Sequence, residues 1–199
     1  MDIASLALPP YLRACKTGDW VIFLDLWGDR YWALSAKMTS QEMQAALAAR
    51  GLLARSSDRA AKRMRTPGRK TLGGRFLSDS VLIGLCGLWA EVIVRRGALY
   101  SAFTWIEHFK PSSRSAQPRD ITVLHDSFRR LRRWLPWSYV CLFNSLCLAR
   151  FLIERGCCVD LVFGVRGRPF AAHCWVEAGG VVLDDGGEDC AAFTEIARA

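Results

Sequence analysis

No Cys-x-x-Cys pair occurs in this 199-residue chain, although it carries eight cysteines. They stand at 15, 86, 141, 147, 157, 158, 174 and 190, too sparse for a disulfide scaffold, and imply free thiols in a reducing cytoplasm. A long apolar run is also lacking. The most apolar stretch, VLIGLCGLWA at 81–90, stops at Glu91 and is too short for a bilayer, which points to a buried helix and against stable membrane insertion. The opening MDIASLALPPYLRACK has neither the basic start nor the extended apolar core of a secretory signal. PGRKTLGG, at 67–74, lacks the Gly-x4-Gly-Lys-Ser/Thr spacing of a phosphate loop. Acidic residues are outnumbered, 19 against 27 basic, for a net charge of +8. That excess favours an acidic partner, whether nucleic acid, an anionic membrane surface or an acidic peptide. Histidine is scarce, with only three in the chain.

Core-forming material is ample. Apolar residues make up 51% of the sequence and eight are tryptophan, so disorder is confined to a linker. The pattern divides near residue 70. WVIFLDL (20–26) and RYWALS (30–35) flank the turn WGD and read as a hairpin. TSQEMQAALAARG follows, a capped helix with Glu42 in its first turn and a stop at Gly51. Strands and a short helix in this span predict a small winged-helix-like module. Residues 55–75, strongly basic and rich in Gly and Ser, read as a solvated linker. Residues 79–110 read as two helices parted near Gly97, and 111–120 as a polar loop. ITVLHDSFRRLRRW (121–134) is an amphipathic helix with a basic face, ended by LPW.

The remainder carries the chemistry. From Cys141 to Arg155 most positions are apolar and Gly156 supplies a stop, giving a buried helix with Cys141 in its first turn. CVDLVFGVR, FAAHCWVEA and VVLDD read as three strands behind it, an α+β arrangement. Unpaired N–H groups at a helix start lower a thiol pKa and can stabilise an oxyanion. Cys147, mid-helix beside Leu146 and Leu148, is a small hydrophobe instead. In the second strand His173, Trp175 and Glu177 share one face, and Ala172, Cys174 and Val176 the other. The third strand separates Asp184 from Asp185, so only one of the two can face His173. Cys, His and Asp in that order form a generalised triad, in which a carboxylate orients an imidazole that serves a thiol. The plain alternative is a hydrogen-bonded strand histidine with two turn aspartates. His108 and His125 sit in helical segments with no such setting. Cys157, Cys158, His173 and Cys174 do not converge on a metal, because adjacent strand residues point apart.

The stretch GVRGRPFAAHCWVEAGG, with LP and Cys141 before it and the closing aspartates after it, resembles the B protein of lasso-peptide biosynthesis. The likeness is densest over 134–185. It implies a transglutaminase-like cysteine peptidase of papain type, with Cys141 as nucleophile, His173 as general base and acid, and Asp185, over Asp184 and Glu177, as orienter. Trp137 is the candidate for the second oxyanion donor beside the Cys141 N–H. DWVIFLDLWGDRYWALS is similar to the PqqD-like recognition element of such proteins, which binds a leader peptide as an added strand. Trp20, Phe23, Leu26, Tyr31 and Trp32 are then candidate leader contacts, or else core. Tyr31 and Trp32 are strand neighbours, so no more than one of them is expected in the core.

The resulting expectation has residues 1–75 as recognition module and linker, and 76–199 as peptidase. The substrate would be the leader of a lasso-peptide precursor. The freed core amine would pass to an asparagine-synthetase-like cyclase, and neither metal nor cofactor is called for. Two alternatives stand beside it. The same triad could pass an acyl group to an amine, as transglutaminase-like and arylamine acyltransferase-like proteins do. The basic segment could instead bind DNA, but no helix carries the clustered Arg, Asn or Gln of base readout.

Overall fold

Alternation builds the first sheet. Strands β1 (Leu12–Thr17), β2 (Trp20–Asp25) and β3 (Arg30–Ser35) pair antiparallel in that order. One face sends Cys15, Ile22 and Leu24 into the main core. The other packs Leu12, Val21 and Phe23 on Met43 and Leu47 of helix α1 (Ser40–Ala49), forming a second core. A capping box between Thr39 and Glu42 starts α1, and Gly51 follows its end with φ +67°. Both faces of the sheet are covered, and Tyr31 and Trp32 are each half-buried on opposite faces, Tyr31 against the main core and Trp32 against the second, with neither fully inside a core.

This computed structural model describes residues 3, 6–53, 78–111, 118–134, 141–184 and 189–199. The linker read at 55–75 therefore lies outside the described residues, as do Trp137 and Asp185.

Helices α2 (Asp79–Arg96) and α3 (Leu99–Phe109) are parted at Gly97, whose φ of 56° ends α2. Helix α4 (Pro118–Arg132) begins three residues earlier than the polar loop read at 111–120 allows. Proline suits a first helical position because its missing N–H would have no partner there. Helix α5 (Cys141–Glu154) is the centre of the fold, buried along nearly its whole length. Its last turn closes through the Gly156 and Cys157 N–H groups onto Ile153 and Leu152 carbonyls.

Behind α5 stands a four-stranded antiparallel sheet, order β6-β5-β4-β7. Its strands are β4 (Asp160–Arg166), β5 (Ala171–Ala178), β6 (Val181–Asp184) and β7 (Thr194–Arg198). The sequence pattern predicts only the first three of them. TEIAR has no apolar alternation, and only Ile196 and Ala197 in it are buried. Pairing with β4 and ion pairs from Arg198 to Asp160, Glu177 and Glu195 hold β7 in place. β7 also lies beside β1, so the two sheets meet there. The architecture is mixed α/β with two antiparallel sheets. Among the described residues no helix is long and apolar enough to cross a membrane.

Arg150 is buried inside α5, only 2% exposed. Its guanidinium lies between the Trp89 ring at 4.6 Å and the Trp105 ring at 4.7 Å, with Glu154 at 3.8 Å. Burial pushes its pKa down, and the neighbouring Cys86 and Glu154 oppose that. Stacking on two indoles suits guanidinium, which is weakly hydrated and planar. Truncating one partner of a buried ion pair leaves the other uncompensated. Arg150→Ala is therefore expected to lower unfolding free energy by about 3 kcal/mol or more, read from urea denaturation.

Candidate active site

Cys141 opens α5, and the helix packs on β5. One turn on, Ser145 is buried and its hydroxyl donates to the Cys174 carbonyl at 2.9 Å. That bond sets Cys141, on the same helix face, over the centre of β5. The Cys141 sulfur is held there by hydrogen bonds to Cys174, through its side chain and backbone, and to the His173 ring. These contacts, those of Cys174 first, bring the thiol down to about 5 from its usual value near 9, against partial burial, which works the other way. The His173 bond and the charge of its ring add to the effect. Cys141 is thus half-buried and held as a thiolate at neutral pH. Burial pushes the Cys147 thiol up to about 12, as suits its place as a small hydrophobe, and Cys86 is raised for the same reason.

The His173 ring is 4% exposed. It stacks on Trp175, ring centres 5.9 Å apart, and leans on Phe193 at 5.5 Å. Its Nε2 is buried without a hydrogen-bond partner among the described residues. Glu177 is engaged elsewhere. Its carboxylate accepts from the Trp175 indole at 2.7 Å and pairs with Arg198 at 2.7 Å. The β5–β6 register carries an irregularity, with Val176 opposite Asp184 and Glu177 opposite Val182, so strict alternation along VVLDD does not hold. His108 packs edge-on to Phe109 and His125 lies in α4, both remote in sequence and element from this cluster. No group of three potential metal ligands occurs among the described residues.

Thiolate and imidazole, brought together where a largely buried helix starts on a small antiparallel sheet, are an arrangement suited to acyl chemistry. The family profile of the Transglutaminase-like superfamily matches residues 88–198. The chain belongs to that superfamily. It includes cysteine peptidases and acyltransferases, and the matched span holds α5, β5 and both described members of the thiol–imidazole pair. Microcin J25-processing protein McjB of Escherichia coli is 49% identical over 45 residues, 23% of this transglutaminase-like chain and 22% of that relative. The match spans about a fifth of the relative's length. No solved structure matches the chain.

Of the candidate leader contacts, Phe23 and Leu26 are fully buried and have no surface to offer a peptide. Trp20, Tyr31 and Trp32 keep some exposure. Trp20 lies under Arg168 at 5.8 Å and Trp32 under Arg50 at 5.8 Å.

Gly164, which no sequence motif singles out, is directly opposite His173 in the β4–β5 register. A Cβ there would sit 2.7 Å from the Trp175 ring and 2.8 Å from Phe193 Cβ, the two groups that flank His173. An isolated glycine inside a strand was the available signal, since it marks close approach. No motif marks Cys174 as a partner of the nucleophile either.

Iodoacetamide should label Cys141 with a rate midpoint near pH 5, losing reactivity as pH falls through that value and the thiol protonates. His173→Ala should move the midpoint up, followed by mass spectrometry of the labelled peptide. Gly164→Ala should cost about 1–3 kcal/mol by overpacking and slow the same labelling, because Trp175 must shift against His173.

Proposed function

We propose that this chain is a cysteine peptidase that removes the leader of a ribosomally made lasso-peptide precursor. The observation that carries the reading is the Cys141 thiolate hydrogen-bonded to the His173 ring at the start of a buried helix. The local likeness to a microcin J25-processing protein supports the substrate class.

In this reading the thiolate attacks the carbonyl carbon of the last leader residue. The Cys141 N–H and Trp137 would stabilise the oxyanion. His173 protonates the departing amine, which becomes the N-terminus of the core peptide. Water, deprotonated by His173, then hydrolyses the thioester and frees the leader. Asp185 follows directly on β6, which pairs with β5, and would supply the carboxylate for the orphaned His173 Nε2. The freed amine passes to an asparagine-synthetase-like cyclase for macrolactam closure.

The leader docks on the N-terminal module, a PqqD-like and winged-helix-like element in this reading. β1 lies beside β7, whereas β3 is the open edge of its sheet among the described residues. An extended peptide can add to such an edge through backbone hydrogen bonds, with Trp20 and Trp32 nearby for side-chain contact. Tethering raises the local concentration of the cleavage site, so that site needs little affinity of its own.

Purified protein incubated with its precursor should release a leader with a free carboxylate, read by mass. Cys141→Ala should abolish cleavage, and Asp185→Asn should lower it by about 10²-fold or more. A leader found joined to an added amine would favour acyl transfer by the same residues. Cleavage by Cys141→Ala at the wild-type rate would end the reading.

A further inference from the structure

Tyr31 belongs to the first sheet, yet its environment is that of the thiol. It sits opposite Leu24 in the β2–β3 register, on the face that enters the main core with Cys15 and Ile22. Its ring meets Phe170 edge-on, centres 5.7 Å apart. Phe170 ends the β4–β5 turn, three residues before His173.

The first sheet grips this same turn at two further points. Gly167 lies so close to Thr17, at the end of β1, that an added Cβ would stand 3.3 Å from its methyl group. The Arg168 guanidinium covers the Trp20 ring at 5.8 Å. Arg166, at the start of the turn, lies over Phe193, the ring that also leans on His173. The turn leading into the histidine strand is therefore held from outside its own sheet, by residues of β1, β2 and β3.

We propose that Tyr31 is a positioning residue of the thiol–imidazole site, so that the N-terminal sheet forms part of the catalytic centre as well as a place for docking. The inference rests on the peptidase reading only for what the site does, since the placement itself concerns this chain's own residues. Tyr31 fills the space between sheet and turn, and its ring against Phe170 fixes where β5 begins. Fixing that point fixes how His173 and Cys174 approach the Cys141 sulfur. The phenol is pushed well above its usual range by burial first, then by the neighbouring Cys174, Asp29 and Cys141. It stays protonated and adds no negative charge beside the thiolate. The titratable groups acting on Cys141 are thus Cys174 and His173 from β5, and the charge of Cys141 in turn acts on Tyr31 of β3.

The test is iodoacetamide labelling of Cys141 across pH in the full chain, with melting temperature measured alongside. Tyr31→Phe should keep the wild-type profile, because the ring and not the hydroxyl meets Phe170. Tyr31→Ala should slow labelling at neutral pH about tenfold or more and move its midpoint up, since small misplacements of reacting groups cost up to about 10²-fold. Phe170 is 55% exposed, so Phe170→Ala leaves the core intact and should shift the profile in the same direction. If Tyr31→Ala fails to fold, Phe170→Ala decides alone. An unchanged labelling profile in Phe170→Ala and in any folded Tyr31→Ala overturns the proposal. With precursor as substrate, Tyr31→Ala should lower kcat more than it raises KM. A change confined to KM makes Tyr31 a docking residue and overturns the proposal while the peptidase reading stands. Tyr31-dependent labelling without any precursor cleavage supports the proposal and ends the peptidase reading instead.

Discussion

The hydroxyl of Ser145 donates to the Cys174 carbonyl, and the position of the Cys141 sulfur follows from that bond. A buried hydrogen bond of this kind contributes only about 1 kcal/mol net, but it fixes the height of α5 on β5. One turn away, Cys141 then reaches two adjoining residues of the strand, the His173 ring and the Cys174 thiol and backbone. A helix slid by one residue along its axis would rotate the sulfur off the sheet by about 100°. Burial of α5 on every side makes that slide unfavourable, because each of its core contacts would be lost together.

Around this contact the side chains are closely packed. Trp175 and Phe193 hold the histidine ring, and Gly164 makes room for both by having no side chain. Arg198 ties three acidic side chains from β4, β5 and β7. Arg150 spans the other side of α5 between two indoles. The first sheet has no exposed face to spare: one packs on α1, and the other enters the main core and touches the turn before His173. The first sheet thus shares one core with α5 and the strands that carry Cys174 and His173, and its Tyr31 touches the turn that leads to the imidazole.

Much of the architecture was legible because its signals are local. Thr39 and Glu42 mark the start of α1, Gly97 parts α2 from α3, and Gly156 follows α5. Each depends on a few neighbouring residues, whose backbone preferences act without the rest of the fold. β7 escaped notice because TEIAR is polar and gains its strand from pairing with β4. The face assignments along β6 failed because alternation presumes a regular ladder, and an irregular register near Val176 breaks it. Phe23 and Leu26 were open to a reading as peptide contacts because an aromatic-rich strand looks the same whether its faces meet solvent or protein.

Composition and spacing by themselves determined a thiol at a helix start, a histidine in a strand and acids just beyond it, since such patterns are written in consecutive residues. What lowers the Cys141 pKa was decided only in three dimensions: the foremost contact is Cys174, a residue 33 positions away with no motif of its own. The same holds for Glu177, taken up by Trp175 and Arg198, and for Tyr31, brought from the first sheet to the last turn before the histidine. Periodicity tells which way a side chain points along its own element. Which other element it meets depends on packing of the whole chain, and the electrostatics of the site depend on that meeting.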